Sequence, residues 1–162
     1  MSVLAIILIL SGEPLPTNDH IELAAGINEQ AEEWRPLLVA LAWSESDFRA
    51  DVESHAGACG ILQLMPRHTT DETGQQVTCE WLKSNVRQSV TLAVLELRKW
   101  RKNCGKEWML AAWNQGYQCC RGGWYFRKRQ GKQAFDCSEA AQGFAAKVRR
   151  REVYVKRKME VR

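Results

Sequence analysis

The sequence predicts a mainly α-helical single domain with a small irregular or β-like part in its loops. Three observations carry this expectation. Apolar residues recur at helical spacing along most of the chain, β-branched alternation is nearly absent, and 162 residues fit one core rather than two. With 45% hydrophobic and 26% charged residues, a chain of this length can bury roughly 68–70% of its unfolded surface, which excludes disordered and fibrous classes.

The elements follow in chain order. Val3 to Leu10 is the longest apolar run, and its eight residues fall far short of the ~20 that cross a bilayer as a helix. Residues 1–18 are expected to form an N-terminal apolar segment, either a signal or anchor or a buried element; no Lys or Arg precedes the run and no A-x-A site follows it. The domain proper is expected over 19–162. Asp19 with Glu22 suggests a capping box that opens a helix with Ile21, Ala24, Ala25, Asn28 and Ala31 on its stripe. Pro36 suits the first turn of a second helix over about 35–48. Gly57, Gly60 and Pro66 make the next segment a loop. A third helix over about 85–102 carries Val86, Val90, Val94, Leu97 and Trp100 and stops near Gly105; a short one over 107–114 ends at Gly116. Ser138 caps a last helix with Ala141, Phe144, Val148 and Val155 on one stripe.

Charge is unevenly divided. Residues 1–75 hold 3 Lys/Arg against 12 Asp/Glu, a net of −9, and residues 76–162 hold 20 against 7, a net of +13. The second half therefore favours polyanions: nucleic acid, anionic lipid and anionic wall polymers all fit such a field. Six cysteines, at 59, 79, 104, 119, 120 and 137, show neither a C-x-x-C pair nor zinc spacing, so no metal site is expected. Fifteen pairings are open to six cysteines. The adjacency of Cys119 and Cys120 leads us to expect partial bridging at most in an oxidising compartment, and free buried thiols otherwise.

Glu45 is the first candidate for chemistry. It lies between Leu41 and Phe48 on an apolar stripe, where desolvation would favour a protonated carboxyl able to act as a general acid. A glutamate that snorkels outward from the stripe's edge is the alternative.

The strings ESDF at 45–48, SHAGACGILQLMP at 54–66 and AAWNQG at 111–116 together resemble the soluble-lytic-transglycosylase (SLT) domain, a lysozyme-like family that cleaves peptidoglycan. All three appear in the family's order, with the serine nine and the glutamine eighteen residues after the glutamate. The resemblance implies a lysozyme-like domain with a cleft and makes Glu45 the catalytic acid/base. It implies substrate-binding roles for Ser54, Gly60, Gln63, Met65, Trp113 and Asn114, with Gly57 and Gly60 admitting the glycan to the backbone, although turn geometry alone also explains glycine there. Tyr154 matches the family's late Y-V dipeptide. Trp113 departs from the family's tyrosine, Leu62 from a methionine and Gln115 from an alanine.

The implied reaction needs one carboxyl. Glu45 would protonate the glycosidic oxygen between N-acetylmuramic acid and N-acetylglucosamine, then accept the muramoyl C6 hydroxyl proton as O6 closes a 1,6-anhydro ring. A muramidase would need a second carboxylate, for which Asp47, Asp51 and Glu53 are the near candidates. A third possibility is an inactive module that binds a polyanion through residues 121–158, where RGGWYFRKRQGK mixes aromatics with cations. The expected partner is peptidoglycan, with anionic wall polymers held by the basic half. No nucleic acid, cofactor or metal is expected, and a monomer is. The implied location is the cell envelope, periplasm or exterior, or a phage particle acting on a host wall.

Overall fold

A computed structural model describes residues 1–120 and 137–160. The basic, aromatic stretch 121–132 lies outside the described residues. The fold is mainly helical, and the chain forms two compact units: residues 1–93 together with the chain from Arg151 onward, and residues 94–150.

In the first unit, helix α1 (Val3–Ser11) starts where the Ser2 hydroxyl accepts the Ala5 N–H at 3.2 Å and ends at Gly12, whose φ of 74° is left-handed. Its Val3, Ile6 and Ile7 are buried. Helix α2 (Asn18–Glu29) is capped by Thr17 rather than Asp19: the Thr17 hydroxyl accepts from His20 N–H at 3.3 Å, and His20 Nδ1 accepts from Thr17 N–H at 3.4 Å. The expected stripe is also corrected. His20, Leu23, Ala24 and Ile27 face inward, while Ile21 is 45% exposed. Gly26 explains the rotation, because a Cβ there would lie 2.8 Å from the Arg87 carbonyl oxygen; only glycine allows the two backbones to meet on this face.

A 3-10 turn (Glu32–Trp34) leads into α3 (Arg35–Glu45), which is three residues shorter than expected. Asp47 and Phe48 adopt left-handed φ of 56° and 64°, conformations that a helix cannot continue through. The long loop that follows holds the β-like part as three isolated antiparallel bridges, Glu53–Cys59, Cys59–Leu64 and Thr70–Gln76. A 3-10 turn (Pro66–His68) and the short α4 (Cys79–Ser84), capped by the Thr78 hydroxyl, lie within and after this loop; α4 is not among the expected helices.

Helix α5 (Val86–Gln115) runs from the first unit into the second and breaks at Gly105 (φ 81°, ψ 161°), the residue at which the sequence predicted a stop. In the second unit a 3-10 turn (Tyr117–Cys119) follows, with the Tyr117 ring edge-on to Trp100 at 4.8 Å. Helix α6 (Glu139–Glu160) begins where the Ser138 hydroxyl accepts the Ala141 N–H at 3.1 Å; of the expected stripe it buries Ala141, Val148 and Val155 and leaves Phe144 half-buried. No described helix is long and apolar enough to cross a membrane.

All six cysteines are paired, Cys59–Cys79, Cys104–Cys120 and Cys119–Cys137, against the expectation of partial bridging. Adjacency does not prevent this. Cys119 closes the 3-10 turn and Cys120 leaves it, so one neighbour bonds forward to the residue before Ser138 and the other back to α5. Cys59–Cys79 ties the long loop to α4 over a separation of 20 residues. Replacing both by serine is expected to lower stability by about 3 kcal/mol through the freer unfolded chain, read from urea unfolding as a lower midpoint with a slope that is equal or steeper, since the freer chain exposes more surface.

Candidate active site

Glu45 is the last residue of α3 and is half-buried. Its position is set by the two residues after it that complete E-S-x-F. Ser46 is 4% exposed, and its hydroxyl lies 2.7 Å from the Ile61 carbonyl and 3.2 Å from that of Ala42. One proton serves the shorter contact, since the Ala42 carbonyl already accepts the Ser46 backbone N–H at 3.2 Å. Phe48, 2% exposed, plugs the core with His20 edge-on to its ring at 6.5 Å. Asp47, Phe48 and Gln63 are the non-glycine residues with left-handed φ among those described. Such backbone costs of order 1–3 kcal/mol per residue and persists where surrounding contacts over-determine it; here it flanks Glu45 and sits in the loop that Ser46 grips.

That loop carries the other motif residues. The Ser54 hydroxyl accepts the Ala58 N–H at 3.0 Å, so Ser54 shapes the turn before Cys59. Gly60 is buried with φ 77°, and a Cβ would lie 2.8 Å from the Leu82 carbonyl oxygen, so packing on α4 accounts for glycine there. Gln63 donates its amide to the Val52 and Gly60 carbonyls at 3.1 and 2.9 Å, which holds the side chain while leaving its carbonyl oxygen as an acceptor. Met65 is half-buried, and its carbonyl accepts from His68 N–H and the Thr69 hydroxyl. Trp113, half-buried, and Asn114, exposed, lie in the second unit at the end of α5.

Two residues of the first unit escaped the sequence reasoning. Trp43 in the last turn of α3 receives the Arg151 guanidinium over its ring at 3.9 Å and the Tyr154 ring at 6.2 Å. Arg151 Nη1 also donates to the Trp43 carbonyl at 2.5 Å and to the Ser44 hydroxyl at 3.3 Å. An aromatic beside a candidate acid was a usable signal for Trp43. Nothing in the run Arg149-Arg150-Arg151 distinguishes the third arginine from its neighbours.

The candidate second carboxylates point elsewhere. Asp47 and Asp51 line a pocket of about 260 Å³ with Glu13, Asp19, His20 and Arg49, and Glu45 is absent from its walls. Glu53 pairs with Lys83 at 3.2 Å, a hydrogen bond that raises the lysine pKa. Glu53, Cys59 and Cys79 come within metal-ligand distance of one another, but both sulfurs are spent in the disulfide and offer no thiolate.

The fold is mainly helical, with a half-buried glutamate at the end of α3 and, after it, a glycine- and glutamine-bearing loop tied to Ser46. The family model for the transglycosylase SLT domain matches residues 22–135, and the chain belongs to that family, whose substrate class is peptidoglycan. No curated protein and no solved structure matches the chain.

Ser46 is the testable link between helix and loop. Ser46→Ala leaves the Ile61 carbonyl without its donor in a buried place, which is expected to cost about 1–3 kcal/mol. Chemical denaturation measures that loss, and wall-clearing activity should fall well below wild type at temperatures where the variant is still folded.

Proposed function

We propose that this protein is a lytic transglycosylase that cleaves the β-1,4 bond between N-acetylmuramic acid and N-acetylglucosamine, with Glu45 as its single acid/base. The observation that carries this proposal is the contrast among carboxylates. Glu45 alone is held half-buried at the carbonyl end of α3 by a buried hydroxyl and a left-handed turn. Asp47 and Asp51 are exposed on a separate pocket, and Glu53 is engaged with Lys83.

In the proposed reaction the Glu45 carboxyl gives its proton to the glycosidic oxygen, and the C1–O bond breaks to release the N-acetylglucosamine hydroxyl. The resulting carboxylate takes the C6 hydroxyl proton while O6 bonds to C1, so the acid is regenerated and no water enters. Gln63 and Met65 of the first unit are proposed to contact the glycan, while Tyr154, beside Trp43, is proposed to act through that ring; a substrate-binding role is proposed for Trp113 and Asn114 of the second unit on the motif they complete. Ser54 and Gly60 are proposed to act by shaping the loop. The paired cysteines favour work in an oxidising place: the periplasm, the outer envelope, or a phage particle meeting a host wall. The basic residues of the second half are proposed to hold anionic wall polymers.

Mass spectrometry of muropeptides released from purified sacculi tests the reaction. Glu45→Gln keeps size and packing but can neither give nor take the proton, and general acid/base loss costs roughly 10²–10⁴-fold; we expect the upper end, with glycan binding retained. Asp51→Asn and Glu53→Gln should keep most activity and yield anhydro products. Near-normal turnover in Glu45→Gln would sink the mechanism. Reducing-end products together with a dead Asp51 or Glu53 variant would make the enzyme a two-carboxylate muramidase, and no product at all would leave a wall-binding module.

A further inference from the structure

We infer that Arg151 is a positioning residue for the reaction: it clamps the last turn of α3 and so fixes where Glu45 stands. This inference rests on the acid/base role proposed for Glu45.

Arg151 bonds the two residues just before the glutamate and feels the charge of one just after it. Before it, the guanidinium lies 3.9 Å over the Trp43 ring, donates to the Trp43 carbonyl at 2.5 Å and reaches the Ser44 hydroxyl at 3.3 Å. After it, the charge of Asp47 acts on Arg151. The last four carbonyls of a helix have no intrahelical donor, and a cation there both bonds a carbonyl and meets the negative end of the peptide dipoles. The Ala42 carbonyl is taken by Ser46. The Trp43 carbonyl, next along, is taken by Arg151, so the cap's own N–H and one side chain from outside the helix secure successive carbonyls of the turn that ends in Glu45. Burial holds the Arg151 pKa below its ordinary value, with Asp47 opposing that shift; the group is an anchored cation, not a free surface charge.

The clamp sits on the side of α3 away from the proposed chemistry. Two residues along an α-helix are about 200° apart around its axis, so the Trp43 ring and the Glu45 side chain leave α3 on nearly opposite faces. Arg151 therefore acts through the helix end and not on the scissile bond. Its planar fork stacks and donates at once, which lysine cannot reproduce. Tyr154, 6.2 Å from Trp43 and one helical turn beyond Arg151 on α6, braces the same ring.

The experiment compares kcat and KM on a soluble muropeptide oligomer for wild type, Arg151→Ala, Arg151→Lys and Glu45→Gln, below the melting temperature of each variant as set by circular dichroism. Misplacement of a catalytic group by about 1 Å can cost roughly 10²-fold, so Arg151→Ala should lose about 10- to 100-fold in kcat with KM within twofold of wild type. Arg151→Lys should recover part of that loss, and it answers the question alone if Arg151→Ala does not fold. Wild-type kcat in Arg151→Lys overturns the clamp, as does a raised KM at unchanged kcat in either variant, because that pattern would mark a substrate contact. Wild-type kcat in folded Arg151→Ala overturns it too. A dead Glu45→Gln beside a normal Arg151→Ala removes this inference alone, whereas an active Glu45→Gln removes the proposed mechanism with it.

Discussion

The structure of the first unit turns on one hydroxyl. Ser46 ties the end of α3 to the Ile61 carbonyl at 2.7 Å in a place only 4% exposed, and an unmatched carbonyl there would cost more than the bond itself gains. From this tie follow the reversal at Asp47 and Phe48, the seating of Phe48 in the core and the fixed approach of the loop from Cys59 to Leu64. The loop has its own supports. Cys59–Cys79 joins it to α4, Gly60 lets it lie against the Leu82 carbonyl, and the Gln63 amide closes it onto Val52 and Gly60. Glu45 stands at the junction of two elements that are each held independently.

Left-handed backbone at Asp47, Phe48 and Gln63 is unfavourable for side chains of this kind, and glycine would remove the strain. Each side chain offsets its conformation by something glycine lacks. Phe48 contributes a ring that is nearly fully buried, worth roughly 1.5–3 kcal/mol, and Gln63 contributes two hydrogen bonds. Asp47 contributes charge toward Arg151. The E-S-x-F pattern thus describes a turn as much as a candidate acid: the serine and phenylalanine are the parts that fold, and the glutamate is carried by them.

Much of the fold was legible because helices announce themselves locally. Ser138 as a cap, Gly105 as a break and the buried stripe of α5 all come from residues within a turn or two of one another. What failed was tertiary. The roll of α2 depends on Gly26 meeting Arg87 across 61 residues, and the early end of α3 depends on Ile61, fifteen residues on. Neither is present in a window of sequence. α4 is six residues long, too short for periodicity to register. In the candidate site, motif spacing picked out Glu45 and the loop but not the loop's internal supports: the Ser54 hydroxyl bonds the Ala58 N–H, and Gly60 lies against the Leu82 carbonyl. Arg151 reaches Trp43 across 108 residues, and its chemistry is that of any arginine in a basic helix until the fold brings them together.

That separation has a consequence for how the site comes into being. α1, α2 and α3 pack on one another, and contacts between neighbouring helices form early because little loop entropy opposes them. The Arg151–Trp43 contact closes the longest loop in the first unit's candidate site, so the final seating of α3's last turn must await the end of α6. The carboxyl proposed to act alone, as donor and then acceptor at one bond, gains most from being rigid at that end. If Arg151 clamps that turn as inferred, full alignment of Glu45 is conditional on α6 having folded.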